Sequence, residues 1–334
     1  MKRREFVGGV LGGGAVWGSA PSGFAQQNSA PRELPGSGGD RGIVIERPLA
    51  GRPHAGKVLA AIQPHADDVP FFAGGTVAKL ISEGYSGCLI RTTNDDKTGS
   101  GTVGEGVLNN ERDNAAVARA LGLSKVFDLQ YTNHEMDCMS RLEMRERLIY
   151  LIRLLKIDTI ICYDPWGSYE ENPDHYVTAQ EVEAACWMAA GGKDFPEHLA
   201  AGVEPHFVQE KYYFARGPQL VNRVVDITPW VDKKVEANLA NKTQGGGGDN
   251  GARLRARLAA QKRRLPILGN DDDTANREYI KHFFLDLDSQ YIRGVPSDRE
   301  TGRPYGLEWA EAYHYIGPPQ SILERYIAEH AVPL

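Results

Sequence analysis

From Val58 onward, short apolar runs rich in β-branched residues alternate with longer stretches whose apolar positions recur every three or four residues. Val58-Leu59-Ala60-Ala61-Ile62 is the first such run, and Thr159-Ile160-Ile161-Cys162-Tyr163 is another. The pattern predicts strands over 58–63, 87–93, 124–129, 158–163, 208–215 and 222–227. Between them it predicts helices near 75–83, 109–121, 140–156 and 176–190. Over 140–156, Leu142, Leu148, Ile149, Ile152 and Leu155 fall close to helical spacing. Strands that alternate with helices in this way form a mostly parallel sheet with helices on both faces, the α/β class.

Later segments break the alternation. Residues 230–264 read as a helix interrupted by Gln244-Gly245-Gly246-Gly247-Gly248-Asp249-Asn250-Gly251. Each glycine costs a helix about 1 kcal/mol relative to alanine, so the run ends one helix and separates it from the next. It reads more simply as an exposed insertion than as a mobile loop beside a site. Together with loop 94–108 it remains a candidate pocket wall. No strand precedes it and no Gly-Lys-Ser/Thr follows, so it is not a phosphate loop. The three aspartates at 271–273 read as a solvated loop or a helix start.

The first 45 residues differ in character. Lys2-Arg3-Arg4-Glu5-Phe6 precedes a glycine-rich, mildly apolar stretch to Ala20, and Gly23-Phe24-Ala25 offers a small-residue cleavage site. This is the layout of a signal peptide over 1–25, and the arginine pair points to the twin-arginine route and a periplasmic or extracellular location. The stretch falls short of the roughly 20 apolar residues that a membrane span needs. Residues 26–45 read as a disordered linker, leaving 46–334 as a single domain.

Loss of 1–25 would remove three basic residues and one acidic one, taking the formal charge from −6 to −8. No basic stripe remains to track a phosphate backbone, which argues against nucleic acid as a partner. Cys88, Cys138, Cys162 and Cys186 are widely spaced, without the paired spacing of a zinc knot, so buried thiols are expected rather than disulfides.

Two polar clusters follow predicted strands, where open α/β sheets place their ligands. Pro64-His65-Ala66-Asp67-Asp68 follows the first apolar run, and Asn172-Pro173-Asp174-His175 comes after the run at 159–163. A tight turn can aim His65 and Asp68, three apart, at one point. Asp67 must project differently and is free to act on something other than a metal. Two histidines and one carboxylate suit a catalytic zinc that keeps a water in its fourth position, although another divalent metal is possible. Asp174 is expected either to orient a ligand imidazole or to cap the following helix.

These motifs, with Gly74-Gly75-Thr76 opening a helix, Asp164-Pro165-Trp166-Gly167, and Gly306-Leu307-Glu308-Trp309-Ala310-Glu311-Ala312-Tyr313 near the end, resemble the LmbE-like family, which includes the PIG-L-type N-acetylglucosaminyl deacetylases. The likeness runs from about Val58 to Thr228 and returns at Gly306. It implies a Rossmann-like core and a zinc-dependent hydrolase that removes an N-acyl group, most simply acetyl, from a small amino sugar or glycoconjugate. It also implies His65, Asp68 and His175 as metal ligands, with Asp67 as the base that activates the metal-bound water and later protonates the leaving amine.

Many relatives have histidine where Asn172 stands, at a position that stabilises the oxyanion; asparagine can donate a hydrogen bond there but carries no charge. Asn133-His134 stands where relatives often show Asp-Gly, so His134 is a further candidate, as is His314 beside the last strand. An amidase acting on a non-sugar amide is an alternative. So is a secreted metal-containing binding protein without turnover, which Asn172 and Asn133 favour and the intact Asp67 disfavours.

Replacing both Arg3 and Arg4 by lysine is expected to leave uncleaved precursor inside the cell, as fractionation and immunoblotting would show. Normal secretion of that variant would point to the general secretory route.

Overall fold

A computed structural model describes residues 42–318, except 288, 290–293 and 295, together with 322–333. The expected leader and the linker through residue 41 lie outside the described residues. Among the described residues eight strands form one sheet: β1 (Val44–Glu46), β2 (Val58–Gln63), β3 (Ser86–Thr93), β4 (Lys125–Tyr131), β5 (Thr159–Tyr163), β6 (Glu210–Phe214), β7 (Arg223–Asp226) and β8 (Ala310–Ile316), in the order β1-β7-β8-β6-β5-β2-β3-β4. Strand β8 runs antiparallel to both of its neighbours, and every other pairing is parallel. The predicted mostly parallel sheet is therefore present, with one reversed strand.

Residues 44 and 45, assigned to the linker from sequence, instead pair with β7 as part of β1. Glu46 anchors that strand by accepting hydrogen bonds from the buried Lys79 Nζ (2.8 Å) and from Tyr212 Oη (2.9 Å).

Helices α1 (Asp68–Phe72) and α2 (Gly74–Ser82) follow β2, and α3 (Val103–Leu121) links β3 to β4. Helix α4 (Arg141–Leu155) leads into β5, and α5 (Pro173–Ala189) leaves it. The short α6 (Pro196–Ala200) precedes β6, while α7 (Val231–Ala240), α8 (Asn250–Ala260) and α9 (Asp272–Tyr279) follow β7. Helices α2, α3 and α7 pack together on one face of the sheet, and α4 packs with α5 on the other. Among the described residues no helix is long and apolar enough to cross a membrane.

Coverage on both faces explains the strand composition. Leu59 through Gln63 and all five residues of β5 are buried, as continuous apolar runs in a parallel sheet require. In α4, Leu148, Ile149 and Ile152 enter the core with Met144, whereas Leu142 is exposed. Helix α3 starts six residues before the apolar pattern suggests. There Thr102 Oγ1 accepts from Glu105 N, and Glu105 Oε2 accepts from Thr102 N at 2.8 Å, closing a capping box. Asp271 likewise caps α9, so the aspartate triplet is a helix start. All four cysteines are free, three of them buried.

The strand order places the site. Starting at β2, the chain steps outward through β3 and β4, then returns to lay β5 against the opposite edge of β2. The C-terminal ends of β2 and β5 thus flank the point where the order reverses, which is where a crevice opens in such sheets.

Glu311 on β8 ties this sheet to its helices. It accepts from Gly75 N and Thr76 N at the start of α2 (3.0 and 2.8 Å), from Lys234 Nζ of α7 (2.6 Å) and from Tyr313 Oη (2.8 Å). Both Lys234 and Glu311 are buried. Glu311→Ala would leave a buried ammonium with Asp298 as its remaining carboxylate partner and two helix N–H groups without an acceptor. The expected loss is about 3–5 kcal/mol of stability, measurable by urea denaturation.

Candidate metal and catalytic site

The first loop is a tight turn built from its own residues. Asp68 N donates to His65 O (3.3 Å), while the Asp68 carboxylate accepts from His65 N through Oδ2 (2.9 Å). Asp95 Oδ2 fixes the turn from outside by accepting from Ala66 N (3.2 Å), and is itself held by the buried Arg91 (2.8 Å). Asp67 occupies the N-cap position of α1 yet makes no side-chain capping bond. An aspartate there ordinarily spends its carboxylate on the helix N–H groups. This one is left facing the crevice.

The second loop delivers His175 in the first turn of α5. Asn172 is the N-cap, its Oδ1 accepting from Asp174 N at 3.0 Å, and Pro173 opens the helix. The cap is therefore Asn172, and Asp174 is released for the other expected role. Its Oδ2 lies 3.0 Å from His65 Nε2 and accepts from His134 N at 2.7 Å.

His65, Asp68 and His175 converge, with potential ligand atoms within 4.8 Å of one another and all three side chains buried. His65 Nδ1 stands 3.1 Å from His175 Nε2 and 3.4 Å from Asp68 Oδ2, and His175 Nε2 stands 3.7 Å from Asp68 Oδ1. The far nitrogen of each ring meets a carboxylate: Asp174 for His65, and Glu170 Oε2 at 3.1 Å for His175. Carboxylate behind imidazole is the arrangement that orients a metal-binding ring and raises its basicity. Tyr163 adds a hydrogen bond to Asp68 Oδ1 (2.7 Å) and stacks on His175 with ring centres 4.3 Å apart.

The electrostatics favour bound positive charge. Burial works to lower the pKa of His65, but Asp174 and Asp68 outweigh it and hold the imidazole well above its usual value. Burial likewise opposes ionisation of Asp68, yet His175 and His65 keep its carboxyl down at about 2. Burial, reinforced by the Asp68 charge, pushes Asp67 up to about 7. Two imidazoles and one carboxylate aimed at a common point, within an excess of negative charge, suit a divalent cation such as zinc with an open coordination position.

A cavity of about 320 Å³ opens onto this cluster. Asp67, Asn172 and His134 line it, as do Asn133, Tyr163, Arg216, Thr98 and Gln244. His134 adopts a left-handed backbone with φ of 61°, which a glycine would take without strain. His314 does not line the cavity; its Nδ1 pairs with Asp164 Oδ2 at 3.2 Å.

The sequence motifs miss Glu170, Tyr163 and Arg216. Glu170 carries the clearest available signal, lying five residues before His175 in the same loop.

The glycine run, a candidate pocket wall from sequence, reaches the cavity. It is exposed at Gly245 and buried at Gly247, Gly248 and Gly251, and Gln244 at its start lines the cavity. A Cβ on Gly245, whose φ is 76°, would lie 2.7 Å from Asp67 Oδ2, and one on Gly246 would collide with the Phe284 ring. Glycine is required because backbone passes directly over the Asp67 carboxylate.

Residues 60–186 match the PIG-L family model, described as GlcNAc-PI de-N-acetylase. Diacetylchitobiose deacetylase of Thermococcus kodakarensis is 29% identical over 194 residues, covering 56% of this chain and 70% of that protein. Among solved structures, N,N'-diacetylchitobiose deacetylase from Pyrococcus horikoshii superposes with a TM-score of 0.60 at 20% identity, over 83% of this chain and 87% of the other. GalB from Pseudomonas putida, a 4-carboxy-2-hydroxymuconate hydratase, gives 0.52 at 16% identity, over 79% and 98%. At these identities the two structures establish a shared fold and leave the reaction open.

Metal analysis of His65→Ala, Asp68→Ala and His175→Ala is expected to show near-complete loss of bound zinc, since two ligands are too few to retain it. Asp174→Ala should keep the ligand set but weaken metal affinity by about 10–100-fold in chelator competition.

Proposed function

We propose that this chain, which carries a PIG-L family domain across residues 60–186, is a metal-dependent hydrolase that removes an acetyl group from an amino sugar or small glycoconjugate. The observation that carries the proposal is the His65–Asp68–His175 cluster with the uncommitted Asp67 carboxylate beside it in one cavity. The substrate class is supported by the sequence likeness to a diacetylchitobiose deacetylase. The intact Asp67 favours turnover over passive metal binding, because a binding site alone has no use for a carboxylate withheld from its helix cap.

An amide resists hydrolysis because water attacks weakly and an amine leaves poorly. A divalent cation held by the three side chains supplies the acidity that activates water and polarises the acyl oxygen. Asp67 takes the proton from the attacking water and returns it to the departing nitrogen. Asp174 and Glu170 keep their imidazoles turned toward the common point.

Asn172 combines two duties. Its Oδ1 is held by Asp174 N, so its Nδ2 must turn the other way and lies 3.3 Å from His175 Nε2. A neutral donor fixed beside a ligand nitrogen can stabilise an oxyanion formed there. The capping bond is thus what aims the donor, and the local backbone role and the catalytic role support each other.

Purified protein should release acetate from N-acetylated sugars in the presence of zinc and stop on chelation; a parallel panel of non-sugar amides tests the substrate class. Asp67→Asn is expected to keep its zinc while losing about 10²–10⁴-fold in kcat. Loss of zinc in that variant would make Asp67 a ligand. Asn172→Ala should lower kcat by about 10²–10³-fold. Asn172→Asp, which preserves the cap but has no N–H to donate, should lose a comparable amount. Full activity in the aspartate variant would reduce Asn172 to a capping residue.

A further inference from the structure

The glycine run is anchored at both ends. Asp113 on α3 accepts from Lys242 N and Thr243 N through one oxygen (2.7 and 2.6 Å), and Gly248 N donates to Asn238 O at the end of α7 (2.9 Å). Asn250 Nδ2 closes the far side on Gly247 O at 2.8 Å. Between these anchors the backbone crosses Asp67 at Gly245, and the preceding side chain, Gln244, lines the cavity. Gln244 Nε2 is buried with no hydrogen-bond partner among the described residues. Buried polar atoms are almost always paired, so this donor beside the cluster is open to a water or to a ligand group that enters the cavity and replaces it.

Its position indicates which half of a substrate that partner belongs to. Asn172 Nδ2 and His175 lie on the α5 side of the cluster. The glycine run lies against Asp67, the group that hands a proton to the departing nitrogen. Gln244 therefore faces the amine-bearing half of the substrate rather than the acyl half.

We propose that Gln244 is a specificity residue whose carboxamide pairs with a hydroxyl of the amino sugar next to the scissile nitrogen. A carboxamide both donates and accepts, as a hydroxyl does, so the pair is satisfied with either end of the amide turned to the ligand. This inference rests on the hydrolase reading for its substrate but can be tested by binding alone.

The test compares Gln244 with Gln244→Met, which keeps length and volume without the amide. Calorimetry in the zinc-loaded Asp67→Asn background would measure binding of N,N'-diacetylchitobiose and N-acetylglucosamine. Gln244→Met is expected to raise Kd about tenfold, the effect of one lost hydrogen bond. In the Asp67-intact enzyme it should raise KM by a similar factor while kcat and zinc content stay unchanged. Sugars lacking single hydroxyls then locate the contact. One deoxy analogue should lose about the same factor with Gln244 and nothing further with Gln244→Met.

An unchanged Kd in Gln244→Met, or a loss of kcat with KM unchanged, overturns the proposal. So does a protein that binds no N-acetyl sugar at all. Gln244-dependent sugar binding without hydrolysis by the Asp67-intact enzyme would leave this inference standing and overturn the hydrolase reading instead.

Discussion

A single carboxylate joins the two halves of this site. Asp68 Oδ2 closes its own turn on His65 N, and Oδ1 receives Tyr163 Oη from the end of β5. The same two oxygens face His65 Nδ1 and His175 Nε2. One side chain thus holds the loop after β2, the end of β5 and the first turn of α5 in a common geometry. The buried setting makes that linkage strong, since a charge withdrawn from water must find its partners within the protein. The placement of Asp67 depends on it, because the turn that commits Asp68 is what leaves its neighbour free.

Near this centre, two buried cations are met by carboxylates. Arg91 pairs with Asp95 behind the His65–Asp68 loop, and Lys234 of α7 with Glu311 and Asp298. The Arg91 pair is local, four positions apart, whereas the Lys234 pairs join α7 to segments far along the chain and hold that helix against the sheet. Asn238 extends the same support, donating to Pro70 O in α1 from the helix that leads into the glycine run. The wall over Asp67 is therefore an extension of packed structure. Its glycines serve close approach rather than freedom of movement.

Much of the architecture is legible along the chain, because strand runs, helix periodicity and capping residues are local properties. The i, i+3 spacing of His65 and Asp68 within a turn is local too, and so is the placement of both polar clusters just beyond apolar strands. That is why the mostly parallel sheet and the His65–Asp68–His175 set can be read from the residues alone. The departures have local causes as well. Thr102 starts α3 earlier than apolar spacing implies, and β1 is too short and too exposed to carry an apolar signature.

Strand order and long-range packing decided the rest. His65 and His175 are 110 positions apart, and only the pairing of β5 against β2 brings their nitrogens to 3.1 Å. No local pattern says that Asp174 turns to His65 while Asn172 takes the cap, since either residue type can cap a helix. The glycine run could be placed only by its neighbours, with Asp113 129 positions before Lys242 and Phe284 well beyond it. Sequence determined which residues could do the chemistry, because backbone preference and burial are written residue by residue. The folded chain alone determined what each of them faces, because that depends on which distant segments the sheet sets side by side.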